Sequence, residues 1–103
     1  MATQRTISLQ KIKPECLDTY LHYHKNVWPE LEEIYRKIGI FSVSCFVEGC
    51  TLLVMTEYDD AIFPQSREWL AQQDVSIRWE AIMDELKDKT ESSRTFTEIY
   101  RMK

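Results

Sequence analysis

Ile40-Phe41-Ser42-Val43-Ser44-Cys45-Phe46-Val47, then Glu48-Gly49-Cys50, then Thr51-Leu52-Leu53-Val54-Met55-Thr56-Glu57-Tyr58 is two β-rich runs joined by a short turn-forming link, and it predicts an antiparallel hairpin at the middle of the chain. Asp59-Asp60 closes it. On the N-terminal side, Gly39 is a good left-handed stop for a helix that begins at Pro29 with Glu30, Glu32 and Glu33 near its positive end. Trp28 precedes proline and is pushed toward extended geometry. Before it, Pro14 suits a first helical turn, so a helix is expected from Pro14 to Lys25. Arg5 to Ile12 alternates as a strand, with Ile7 and Leu9 on one face and polar residues between them. On the C-terminal side, Pro64 to Gln72 reads as a short helix. Val75, Trp79, Ile82, Met83 and Leu86 form a helical stripe over Asp74 to Lys87. Thr95 to Met102 reads as a last strand. The order is strand, helix, strand, strand, helix, strand, with each helical region broken in two. This is an α+β, ferredoxin-like βαββαβ arrangement with an antiparallel sheet.

Composition bounds what such a domain does. With 103 residues, 44% hydrophobic and 29% charged, the chain reads as a single globular domain over residues 1–103. A domain of this size leaves much surface unburied, and pairing with a second copy through a sheet edge or face would help it. A net charge of −4 and scattered lysines and arginines argue against a nucleic-acid partner. No apolar run approaches the length of a membrane span, and Met1-Ala2-Thr3-Gln4-Arg5-Thr6 lacks the apolar centre of a signal peptide, so a cytoplasmic protein is expected. Cys16, Cys45 and Cys50 are odd in number and lack CxxC spacing. They read as small buried hydrophobes rather than a disulfide framework or a zinc site.

The candidate chemistry lies on the first helix. Leu17, Tyr20, Leu21 and His24 share one mostly apolar face, whereas His22 falls with Asp18 and Lys25 on the solvated side. The two histidines cannot jointly hold a metal on an intact helix, and no metal is expected. A titratable imidazole beside a phenol in a partly buried place is what proton transfer near neutral pH requires. Spacing alone fits a hydrogen-bonded core histidine or a helix C-terminal cation more readily.

Tyr20, three residues, His24, then Trp28-Pro29-Glu30-Leu31 resembles the motif of the L-rhamnose mutarotase family. Asp74-Val75, two residues, Arg78-Trp79 resembles that family's second block, and Glu98-Ile99-Tyr100 its closing strand; the similarity runs from Ile7 to Met102. The resemblance implies a dimeric α+β barrel in which a second copy covers the open sheet face. It also implies an aldose 1-epimerase that needs no cofactor, interconverting the anomers of a monosaccharide with His24 as the catalytic residue. Tyr20 would orient the sugar. Trp79 would offer its ring to a sugar C–H face, although its place in an apolar stripe also reads as core. Trp28 would line the pocket or fix the chain's path.

The chain departs from the family pattern at two positions. Val43 stands where the family has a substrate-contacting tyrosine, and Glu80 where it has a second tryptophan. Glu80 reads as a surface residue or as an acceptor for a sugar with one more hydroxyl than L-rhamnose, such as L-mannose. These departures keep open a catalytically weak sugar-binding or regulatory relative. The architecture also admits a monooxygenase or haem-handling barrel.

Overall fold

The computed structural model describes residues 3–90 and 92–102. Strand β1 runs over Thr3–Lys11, β2 over Ile40–Glu48, β3 over Thr51–Asp59 and β4 over Arg94–Thr97. They form a four-stranded sheet of order β2-β3-β1-β4, with each neighbouring pair antiparallel. The helices are α1 (Leu17–Lys25), α2 (Pro29–Lys37), α3 (Arg67–Ala71) and α4 (Asp74–Leu86). The α+β, ferredoxin-like order read from the sequence is the observed one. No helix among the described residues is long and apolar enough to cross a membrane.

Local chemistry accounts for the breaks. The expected first helix opens as a 3-10 turn over Pro14–Cys16 and becomes α-helical at Leu17. Asn26 leaves the helical region with φ −137° and ψ 55°, and Trp28 is extended, as a residue before proline should be. The expected short helix at Pro64 to Gln72 divides the same way, into a 3-10 turn over Pro64–Ser66 and then α3. Gly39 adopts φ +84°, and a Cβ there would lie 3.0 Å from Ile62 Cβ. Both the backbone and the space around it therefore call for glycine.

The last strand is shorter than its alternation suggests. After Thr97 the Glu98 amide donates to the Arg5 carbonyl at 3.0 Å, and the chain then leaves the sheet. Arg101 reaches Glu57 of β3, two strands away from β4. The ion pairs Arg5–Glu98 and Arg101–Glu57 draw the tail across the sheet instead of along β1. Ile99 and Tyr100 are left 98% and 76% exposed.

Register assigns the faces. Ser8 stands opposite Val54, which stands opposite Cys45, and Gln10 stands opposite Leu52. Leu52 belongs to the core with Ile12, Tyr20, Leu31, Trp79, Met83 and Leu86, so this side of the sheet faces the helices. Ile7 and Leu9 pair with Met55 and Leu53 on the other side, where Phe46 and Phe96 join them. None of the cysteines is core: Cys45 is exposed, and Cys16 and Cys50 are partly so. Cys45 lies on the edge strand β2 and borders the open cavity, and Cys50 sits in the turn between β2 and β3, so neither is packed into the core.

Candidate active site

Between the helices and β2 lies an open cavity of about 520 Å³. Helix α1 delivers Tyr20 and His24 to it, one turn apart on the same face. Their rings stack with centroids 4.2 Å apart and planes at 18°. Trp79 of α4 meets the His24 ring edge-on at 5.5 Å. Tyr20 is buried and His24 half-buried, whereas His22 is exposed on the opposite side. The two histidines that composition cannot tell apart are thus separated by helical spacing.

One hydrogen bond defines the imidazole. His24 Nδ1 lies 2.9 Å from the Tyr20 carbonyl oxygen, one helical turn back. A carbonyl only accepts, so Nδ1 carries the hydrogen and Nε2 is left as the nitrogen with an open lone pair in the neutral ring. The stacked phenol and the indole edge hold the ring plane, and the backbone holds its rotation. An imidazole fixed in this way presents one defined nitrogen for proton exchange.

Of the other residues singled out by the sequence, Trp79 is both core and cavity wall, with 5% of its surface exposed. Glu80, its neighbour, is exposed and lines the same cavity. Trp28 is not among the lining side chains. It packs edge-on against Trp79 at 5.1 Å, with the Arg78 guanidinium 5.4 Å over its ring. Tyr20, His24, Trp79 and Glu80 therefore come together at the cavity, and Trp28 supports the tryptophan that reaches it.

Val43 lies on the cavity wall, where its isopropyl group offers no hydrogen bond. A phenol that the sequence reading passed over stands nearby: Tyr35, on α2, lines the cavity. Burial pushes its hydroxyl up to about 12, with Glu80 and Cys45 adding to the shift. Burial also raises the Tyr20 hydroxyl, again with Cys45 and Glu80 contributing. Both phenols therefore stay protonated at neutral pH and act as hydrogen-bond donors rather than bases. Desolvation raises the Cys45 thiol despite the opposing influence of Lys87, which keeps it from acting as a thiolate nucleophile. Tyr35 was within reach of the sequence, since it shares a face with Leu31 one turn earlier. Among the described residues no three His, Cys, Asp or Glu side chains are grouped to hold a metal ion.

Comparison with known proteins gives a consistent result. The family model described as L-rhamnose mutarotase matches residues 5–103. An L-rhamnose mutarotase of Pectobacterium carotovorum subsp. carotovorum (strain PC1) is 28% identical over 82 residues, covering 80% of this chain and 78% of the relative. Among solved structures, the L-rhamnose mutarotase FA22100 from Formosa agariphila superposes with a TM-score of 0.70 at 19% identity, covering 96% of this chain and 98% of that one. An antibiotic biosynthesis monooxygenase superposes with a TM-score of 0.63 at 15% identity, covering 96% and 99%. At such identities these two structures speak for the fold alone.

Proposed function

Because the chain belongs to the L-rhamnose mutarotase family, a family of isomerases acting on carbohydrates, we propose that it interconverts the α and β anomers of L-rhamnose or a close relative with His24 as the acid/base. The observation that carries this reading is the hydrogen bond from His24 Nδ1 to the Tyr20 carbonyl, which leaves Nε2 with a free lone pair on a residue that lines a sugar-sized cavity.

Mutarotation needs two proton transfers. The anomeric hydroxyl gives up a proton as the bond between the anomeric carbon and the ring oxygen breaks, and the ring oxygen gains one. His24 Nε2 takes the first proton, and the imidazolium so formed hands it to the ring oxygen. Rotation of the aldehyde then lets the same two steps run backward on the other face of the carbonyl. A positioned acid or base contributes about 100- to 10,000-fold to such a step. The protonated Tyr20 and Tyr35 hydroxyls donate hydrogen bonds to sugar oxygens, and Trp79 takes a C–H face of the ring. Glu80 accepts from a further hydroxyl.

The reading extends to assembly and compartment. The sheet face carrying Ile7, Leu9, Leu53 and Met55 is apolar and has no helix over it, which favours a homodimer packed face to face. The cytoplasm, where free thiols such as Cys16, Cys45 and Cys50 stay reduced, suits a protein whose cysteines are unpaired.

The test is proton NMR saturation transfer between the two anomeric signals of L-rhamnose, with wild type, His24→Ala and no protein. Exchange that rises with wild type and falls about 100- to 10,000-fold in His24→Ala, with the fold retained, is the expected result. No exchange above the uncatalysed rate would sink the proposal. L-mannose in the same series reads Glu80: equal rates on the two sugars would remove that residue's role in choosing between them.

A further inference from the structure

Among the cavity-lining polar groups that this mechanism leaves unused, Gln10 is set apart by a buried, unpaired end. Gln10 stands on the helix-facing side of β1 and lines the cavity. Its Nε2 donates to Ser8 Oγ at 2.8 Å. Its Oε1 is enclosed and has no hydrogen-bond partner among the described residues. Exchanging the two ends of the amide does not cure this, because the Ser8 hydroxyl would then donate to Oε1 and leave the NH₂ group without an acceptor. In either orientation Ser8 satisfies one end and the other is orphaned, a standing cost to the fold.

The position does not call for a polar residue on packing grounds. Directly across the strand pair is Leu52, and two residues on, just past the end of β1, is Ile12, each 1% exposed. An apolar side chain at position 10 would extend this core and remove the orphaned amide end, giving up the contact with Ser8. The orphaned end also has somewhere to go: Gln10 borders the cavity, and the terminal amide torsion is soft, so the amide can turn to meet a guest there. A sugar hydroxyl both donates and accepts, so it completes whichever end is free.

We propose that Gln10 is a sugar-binding residue whose free amide end hydrogen-bonds a ring hydroxyl of the aldose, fixing the orientation in which the anomeric centre meets His24. A pyranose fits a cavity of this size more than one way round, and only one way presents the reacting carbon to Nε2. The inference rests on the mutarotase reading above and adds to it the group that sets the sugar's pose.

Gln10→Met, which keeps the length of the side chain and removes its polar end, tests this by anomer exchange over a range of L-rhamnose concentrations, with a thermal melt alongside. The expected result is a fall in kcat/KM of about 10- to 100-fold, carried mainly by KM, with the melting temperature held or raised because the buried orphan is gone. On analogues of L-rhamnose each lacking one ring hydroxyl, the variant and wild type should converge for the analogue missing the hydroxyl that Gln10 meets. Unchanged kcat/KM in folded Gln10→Met overturns the proposal, and so does a loss equal across every analogue. Gln10→Leu provides the same readout if the methionine variant does not fold, and failure of both to fold would assign Gln10 to structure and overturn it as well. Absent exchange in wild type defeats the mutarotase reading and this inference together; exchange in wild type that Gln10→Met leaves intact defeats this inference alone.

Discussion

The helix-facing side of the sheet carries Thr6, Ser8 and Gln10 on β1, whereas the opposite side carries Ile7, Leu9, Leu53, Met55, Phe46 and Phe96. A sheet covered by helices on one side normally puts its apolar residues under them. Here β1 does the reverse. On the helix-facing side Leu52 and Ile12 are packed into the core, while Gln10, Val43, Cys45 and Val54 border the cavity. The contrast fits the proposed reading, in which space between helices and sheet is kept for a polar guest. In the proposed homodimer the missing apolar burial lies on the far side, against the second copy. The site and the proposed dimer are thus two results of one pattern, the phase of alternation along β1.

The largest expected effect breaks the far side. Met55→Asp sets a carboxylate in the middle of the proposed subunit interface, where its burial costs about 2–5 kcal/mol of association. Light scattering on a size-exclusion column should show a dimer for wild type and a monomer for the variant. A wild-type monomer at high concentration would remove the dimer from the comparison, and a variant that remains dimeric would move the interface elsewhere.

The second test separates core from cavity on a single strand face. Leu52 and Val54 both point toward the helices, one into packed side chains and the other onto the cavity wall. Leu52→Ala should cost about 2–5 kcal/mol of stability because it opens a void among filled neighbours. Val54→Ala should cost about 1 kcal/mol or less, since one side of that residue already faces open space. Chemical denaturation of the two variants checks the difference, and equal losses would mean that the cavity wall is packed as tightly as the core.

The parts of the molecule legible in the sequence are those that depend on local periodicity. The hairpin, both helix breaks, the stop at Gly39 and the segregation of His24 from His22 all follow from spacing and from residues that restrict the backbone. The alternation of Ile7 and Leu9 with polar residues was equally visible. Which of the two sets faced the helices was not, because the phase is set by pairing with β3, more than forty residues away. Gln10 reaches the cavity only through packing between elements distant in sequence, whereas Tyr35 carries a local signal, its helical spacing from Leu31. The tail after Thr97 shows the converse. Its alternation is that of a strand, but alternation assigns faces and does not guarantee a partner.

The smallest expected effect concerns that tail, where it turns over the apolar side of the sheet. The Glu98 carboxyl is held below its ordinary value of 4.5, first by a side-chain hydrogen bond from Arg5 and then by the charges of Arg5 and Arg101, against a desolvation penalty that acts the other way. A carboxylate with a lowered folded-state value binds fewer protons folded than unfolded. Its contribution is therefore complete above about pH 4.5 and is lost as the pH falls through the lower folded value. Both partners are accessible to solvent, so screening keeps the gain small. Melting temperatures of wild type and Glu98→Gln should differ slightly near neutral pH and converge below pH 4.5, and added salt should narrow the gap. A gap that widens on acidification would show that the pair does not hold the tail. Among the described residues, the tail's anchorage across the sheet beyond Glu98 would then rest on Arg101 and Glu57.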